Sequence, residues 1–360
     1  MFKTISYEEI YGHEDKYIFI DARSPKEAYE EPIIGAINVP VLLDDEREIV
    51  GTLYVRESVE QAKQTGVEFI SKRLPQIFNE IQTLHNKNKD KQLVIFCARG
   101  GMRSGSLVSF MTSLGIPVIK LKGGYKAYRA FVAHKLEEYT KEVEFLVLYG
   151  NTGVGKTEML YDLKKRGYSI VDLEGCANHR GSILGGVGLG SCYTQKRFES
   201  LVYEELRTRR SNLVFVEGES RRIGRILIPE YLFKKMYEGN KIRIAADYET
   251  RANRLVEEYT AFKDVNIELS EALAVLKKHI SPEKVEYYKQ LVEQGNYKEV
   301  ALELMEKYYD PMYGVSSKKH SFREVLEVND FNKGIAELER IYKEVLDEKL
   351  EDGYEQRDKE

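Results

Sequence analysis

No stretch narrows the fold of this chain more than Gly150-Asn-Thr-Gly-Val-Gly-Lys-Thr157. It follows an apolar run at 143–149 that reads as a strand, and a helix-forming segment comes after it. Gly150, Gly153 and Gly155 permit a tight turn whose successive backbone N–H groups, that of Val154 included, point inward. A helix N-terminus behind the turn adds a positive field. Lys156 is placed to reach a terminal phosphate, and the Thr157 hydroxyl is a candidate ligand for Mg²⁺. The pattern G-x-x-x-x-G-K-[ST] is complete and stands in strand–loop–helix context, so it reads as a P-loop on a parallel α/β sheet. It specifies a diphosphate site without saying whose diphosphate.

Weaker groups surround it. The apolar run 213–216 ends in Glu217, and Asp172 ends another apolar run. Both are candidates for the Mg²⁺ side of the site. Arg251 and Arg254 follow a strand at 241–246 and are candidates for closing over phosphate. A glycine-rich, nearly uncharged loop runs from Glu174 through His179, Arg180, Gly181 and Ser182 to Gly188. Long loops of that kind inside an α/β domain are functional or disordered. Arg180, Arg221 and Arg222 are candidate contacts to phosphate or RNA, and Arg207, Arg209 and Arg210 form another basic cluster. The other reading of these clusters is a solvated helix end. Cys176 and Cys192 flank His179, but there is no second cysteine pair, so zinc is not expected.

Nearer the N-terminus, the apolar run 93–96 leads straight into Cys97-Ala-Arg99-Gly100-Gly101-Met102-Arg103-Ser104 and then a helix. A short loop between a strand and a helix N-terminus turns its amides toward a bound anion. A cysteine at its start feels that field and the charges of Arg99 and Arg103, which favour the thiolate. Gly100 and Gly101 allow the turn. Cys97 is therefore the candidate nucleophile, and Arg99, Gly100, Gly101, Met102 and Arg103 form the candidate anion loop.

Strands alternate with helices on both sides of residue 140, so each half reads as a parallel sheet with packed helices. From about residue 251 strand signals vanish and charged amphipathic helices follow. Ile335, Leu338, Ile341, Tyr342 and Val345 recur at helical spacing. The expected divisions are 1–138, 139–250 and 251–360. Residues 135–141 read as a linker or a connecting helix, and the polar residues 351–360 as frayed. Hydrophobic residues make up 42% and charged residues 32%, a globular balance. No window approaches ~20 uncharged apolar residues, so no membrane helix is expected. Residues 1–16 are polar and acidic, unlike a signal peptide. Three scattered cysteines make no disulfide framework and point to the reducing cytoplasm. The net charge of −4 does not advertise nucleic acid, so an RNA partner has to rest on local patches or on family resemblance.

Asp21-Ala-Arg23-Ser-Pro-Lys-Glu27, Gly35-Ala-Ile-Asn-Val-Pro40 and Gly123-Gly124-Tyr125-Lys-Ala-Tyr128-Arg resemble the opening, second and closing signatures of rhodaneses. In that family the cysteine accepts sulfur or selenium as a persulfide or perselenide. Small rhodaneses typically place four residues between the cysteine and the next arginine. Five separate Cys97 from Arg103, as in cysteine phosphatases, so the loop is expected to fit a tetrahedral anion such as selenophosphate.

The order continues with the P-loop, His179-Arg-Gly-Ser, Gly185-Gly, Glu219-Ser-Arg-Arg-Ile-Gly and Tyr308-Tyr309-Asp310-Pro311-Met-Tyr313. An insert with Glu46-Arg47 and Val50-Gly51-Thr52-Leu-Tyr54 is absent from plain rhodaneses. Over about residues 4–320 the whole resembles the tRNA 2-selenouridine synthase family. The implied fold is α/β: a rhodanese-like parallel-sheet domain, then a P-loop NTPase-like α/β domain with a helical C-terminal extension.

The implied activity is a transferase acting on the wobble 2-thiouridine of tRNA. It replaces sulfur with selenium from selenophosphate, through an S-geranylated uridine made from geranyl diphosphate. Cys97, Arg99 and Arg103 would bind selenophosphate and take or deliver selenium, and the P-loop would hold the diphosphate. No tightly bound cofactor is implied. Two other readings stay open on the residues alone: a cysteine phosphatase joined to a P-loop kinase, and a non-enzymatic, nucleotide-gated RNA-binding module.

Overall fold

A computed structural model describes residues 2–262, 265–311 and 320–357, with side chains through Glu351. Met312 and Tyr313 of the tyrosine-rich motif lie outside the described residues. The chain divides into two compact units. One runs through Lys135 and includes Glu199–Leu201; the other holds Leu136–Phe198 and the chain from Val202 onward. The helix Gly124–Glu142 crosses that division, so of the two readings of 135–141 the structure shows the helix.

The first unit is built on five strands: β1 (Thr4–Ile5), β2 (Tyr17–Asp21), β3 (Ile37–Asn38), β4 (Gln92–Phe96) and β5 (Val118–Leu121). They are parallel, in the order β1-β5-β4-β2-β3. β4 is central. Its Leu-Val-Ile-Phe run is wholly buried, because helices cover both faces of a parallel sheet. Ile20, Ile95, Val108 and Met111 are among its core. Between β3 and β4 the chain forms two helices, Asp44–Arg56 and Val59–Lys87.

The second unit carries β6 (Glu144–Tyr149), β7 (Ile170–Val171), β8 (Leu213–Glu217), a two-stranded ribbon of β9 (Arg222–Ile223) and β10 (Ile226–Leu227), then β11 (Asn240–Ala245) and β12 (Glu324–Glu327). The main sheet is parallel, in the order β12-β11-β6-β8-β7. Chain leaving β6 emerges between β8 on one side and β11 on the other. That is a switch point, where such sheets leave a crevice at their carboxyl ends.

β12 corrects the expectation of helices alone beyond 251. It is an edge strand with only Leu326 buried, and its flanking glutamates masked the strand signal. The helix Phe331–Arg357 then returns to the sheet, packing Ile335, Leu338, Ile341, Tyr342 and Val345 against Leu146, Leu160 and Phe215. It completes this core, and 351–357 continue it as helix where fraying was expected. Between them the helices Tyr248–Thr260, Val265–Val275, Pro282–Glu293 and Tyr297–Leu304 gather a second cluster that includes Leu273, Val285 and Leu304. No helix among the described residues is long and apolar enough to cross a membrane.

Candidate functional site

Cys97 leaves the carboxyl end of β4, and its Sγ lies 3.1 Å from the Ser104 hydroxyl. The loop enters the helix Met102–Ser113 through Gly101, which offers no side-chain cap. The first-turn N–H groups are thus left for an anion. The closing rhodanese-like signature clamps this loop from behind. Tyr125 N–H donates to Cys97 O and Lys126 N–H to Ala98 O, both at 2.9 Å. A Cβ on Gly124 would stand 2.2 Å from Cys97 O, so only glycine fits there. Lys120 Nζ donates to Gly100 O at 2.7 Å.

The opening signature acts from the other side. Arg23 and Asp21 form a buried ion pair at 2.6 Å, and the guanidinium lies 4.0 Å from the Tyr125 ring centre. Burial pushes the Asp21 carboxyl up, and the Arg23 bonds only partly offset this. Asn38 of the second signature donates to Asp21 O and Arg23 O. Glu27 closes the capping box with Ser24 and also grips Arg103 at 2.5 and 3.2 Å. Burial would raise the Glu27 carboxyl, but the Arg103 bond and charge outweigh it, leaving it below the usual range. Arg103 is therefore oriented by Glu27, a partner 76 positions away that the sequence did not assign. Arg99 and Met102 are exposed at the loop's outer edge.

The second site follows β6. Gly155, at φ +88°, turns the chain into the helix Lys156–Lys165. Lys156 Nζ donates to Gly150 O at 3.1 Å, and the Thr157 hydroxyl donates to Glu174 Oε2 at 3.2 Å. Gly153 to Thr157, Glu174, Arg180, Glu219 and Arg254 line one cavity of about 1210 Å³, its open mouth included. Arg254 donates to Val154 O at 2.7 Å and so braces the loop while facing the cavity. Arg180 lines it too and pairs with Glu258.

Several assigned residues have other work. Glu217 is fully buried and accepts from Leu173 N–H at 2.9 Å. Asp172 caps the helix Leu173–Ala177 through Gly175 N–H and accepts from Tyr161 OH at 2.5 Å. The carboxylates that reach the P-loop cavity are Glu174 and Glu219. Each stands two residues beyond the carboxylate at its strand end, Glu174 in the helix Leu173–Ala177 and Glu219 in the chain after β8. Arg251 is buried. It holds Asp310 through two bonds of 2.7 and 2.8 Å and donates to Thr152 O at 2.9 Å, so it positions the P-loop from behind. Arg221, paired with Glu230, and Arg222 are exposed and do not line the cavity. Arg207 and Arg209 are paired with Glu204 and Glu142. Among the described residues, no group of three or more acidic, histidine or cysteine side chains is arranged to hold a metal.

Burial, then the charge of Glu219, pushes the Glu174 carboxyl well up, against the pull of Lys156. Burial raises Glu219 as well. A raised folded-state value means that the stability from protonated Glu174 is complete at low pH. It is lost as pH rises through that raised value. Chemical denaturation of the unliganded protein from pH 5 to 9 should therefore show stability falling with pH. Glu174→Gln should flatten that fall. An unchanged slope in the variant would contradict the raised Glu174 carboxyl in this half-buried pair.

Comparison with known proteins bears on both sites. The family model described as the tRNA 2-selenouridine synthase AAA domain matches residues 143–340, and the rhodanese-like domain model matches 7–131. The tRNA 2-selenouridine synthase of Nitrosomonas europaea is 32% identical over 67% of this chain, a match that spans 63% of that relative's length. The tRNA 2-selenouridine synthase of Pseudomonas fluorescens is 30% identical over 84% of this chain and 89% of its own. A solved N-terminal domain from Clostridium difficile 630 is 42% identical, covering 36% of this chain and 98% of that one, at a TM-score of 0.34. With the family's own domain matched over more than half of its length, this chain belongs to the tRNA 2-selenouridine synthase family.

Proposed function

We propose that this protein is a transferase that converts the wobble 2-thiouridine of tRNA to 2-selenouridine, with geranyl diphosphate and selenophosphate as co-substrates. What carries the reading is the presence of two complete anion loops in one member of this family. One is headed by a thiol beside a Glu27-held arginine, the other by Lys156 and Thr157.

The first step suits the P-loop. The sulfur on carbon 2 attacks carbon 1 of the geranyl group, an S–C bond forms and the C–O bond to the diphosphate breaks. The N3 proton leaves to solvent. P-loop amides and Lys156 hold the departing diphosphate. Thr157 and Glu174 are oxygen donors of the kind Mg²⁺ takes alongside phosphate oxygens and water. When bound, the ion would neutralise diphosphate charge.

The second step suits Cys97. Selenium in selenophosphate is already at the selenide level, so a perselenide on Cys97 would need an oxidant. The thiolate instead adds to carbon 2 and expels geranyl thiolate, which takes a proton from solvent. The selenium of selenophosphate then displaces Cys97 as a thiolate, water takes the phosphoryl group as phosphate, and N3 regains a proton from solvent. This departs from the sulfur-accepting role of rhodanese cysteines and needs no redox partner.

Mass analysis of the wobble nucleoside tests the reading, with thiolated tRNA, protein and both donors present and each donor omitted in turn. Geranyl diphosphate alone should give the S-geranyl nucleoside, both donors should give 2-selenouridine, and selenophosphate alone should leave thiouridine. Full selenation without geranyl diphosphate would rule out the alkylated intermediate.

A further inference from the structure

The P-loop cavity adjoins a cleft of opposite character. None of the residues lining this cleft is charged, and it encloses about 580 Å³ with its mouth included. Leu269, Leu273, Val292, Val300 and Leu304 form much of its lining. Thr152, Leu255 and Tyr259 line both the cleft and the P-loop cavity.

A single helix, Tyr248–Thr260, serves both spaces. Its Arg254 donates to Val154 O in the P-loop, and its Arg251 holds Thr152 O. Its Leu255, Val256 and Tyr259 face the apolar cleft. The loop tip lies close against that wall, since a Cβ on Gly153 would stand 3.0 Å from Leu255. A diphosphate bound on the loop amides thus has an uncharged, mostly aliphatic cleft as its neighbour.

The lining decides between classes of diphosphate ester. A nucleoside brings a ribose and a base whose polar edges lose water on burial and need partners. The cleft offers only hydroxyls, such as Thr152, Ser182 and Tyr297, and no amide or charged side chain. A hydrocarbon chain asks only for apolar surface. We infer that this cleft takes the hydrocarbon tail of an allylic diphosphate whose diphosphate sits on the P-loop. The inference rests on reading the P-loop as the diphosphate site of the first step, and it adds the part of the protein that recognises the rest of that molecule.

Titration calorimetry on the full chain tests it with three probes: inorganic diphosphate, geranyl diphosphate and ADP. Each buried CH₂ is worth roughly fourfold in affinity, so geranyl diphosphate should bind at least ~100-fold tighter than inorganic diphosphate. Ala301→Phe places a ring in the cleft from a half-buried position. It should weaken geranyl diphosphate at least ~10-fold while leaving inorganic diphosphate within about threefold, which also reports that the P-loop is folded. Val256→Phe fills the cleft from the helix that lines both spaces and should do the same. Equal affinity of the wild type for geranyl and inorganic diphosphate overturns the cleft proposal and leaves the P-loop reading standing. So does unchanged geranyl diphosphate affinity in both filled variants, or ADP binding tighter than geranyl diphosphate. Failure of inorganic diphosphate to bind the wild type overturns the P-loop reading and the cleft with it.

Discussion

Lys156→Ala is expected to lower S-geranylation of thiolated tRNA by at least ~10²–10³-fold, the cost of removing one fixed group that meets developing charge. The reason is local. As the C–O bond breaks, negative charge collects on the diphosphate, and Lys156 is the ammonium at the mouth of the loop. Glu174 and Glu219 share that cavity, and burial pushes both toward the protonated form, so neither group replaces the positive charge that Lys156 supplies. Lys156→Arg should recover little, because a planar fork does not replace a compact point charge inside a close-fitting loop. The same Lys156→Ala protein should still convert tRNA that has been geranylated beforehand, given selenophosphate, at close to the wild-type rate. Mass analysis of the wobble nucleoside reads both steps. Survival of geranylation would take the prenyl donor off the P-loop, whatever happens to selenation.

Both loops were readable in the sequence because each is local. A strand, a few glycines and a helix start within ten or so residues fix the amides, and the chemistry of Cys97 or Lys156 follows from position in the turn. The groups that complete each site were harder to see because they arrive through the fold. Glu174 and Glu219 meet only because β7 and β8 pair in the register Ile170 to Phe215 and Val171 to Val216, carrying both strand ends to the P-loop. The sequence drew attention to Asp172 and Glu217, which end the apolar runs, whereas reach favoured the carboxylates two residues on. Arg251 looked like a phosphate ligand since its partner Asp310 stands 59 positions away and nothing local announces the pair. β12 escaped for a similar reason. Its strand character comes from pairing with β11, and its flanking glutamates gave no apolar alternation. The rhodanese-like signatures were recognisable as words, but their physical content is tertiary: one grips Arg103 through Glu27, another holds Cys97 O through Tyr125.

Cys97→Ser separates the second step from the first. It should reduce conversion of geranylated tRNA to 2-selenouridine by at least ~10³-fold, the scale of losses when a covalent nucleophile is removed. The loop itself should persist. Its clamps go to backbone atoms, with Tyr125 N–H on Cys97 O, Lys126 N–H on Ala98 O and Lys120 on Gly100 O, so none depends on sulfur. A serine hydroxyl at this position is also close enough in size to keep the contact with Ser104. The loss is therefore chemical: an unactivated hydroxyl is a far weaker nucleophile than a cysteine sulfur. Geranylation, which needs the other loop, should proceed at the wild-type rate in the same protein. The release of geranylthiol supplies a second readout. In the wild type, adding geranylated tRNA without selenophosphate should release up to one equivalent of geranylthiol per protein and leave the nucleoside bound to Cys97. The serine variant should release none. Stoichiometric selenation by Cys97→Ser would remove the nucleophile role, and geranylthiol release that waits for selenophosphate would remove the covalent intermediate while leaving the thiol as an orienting group.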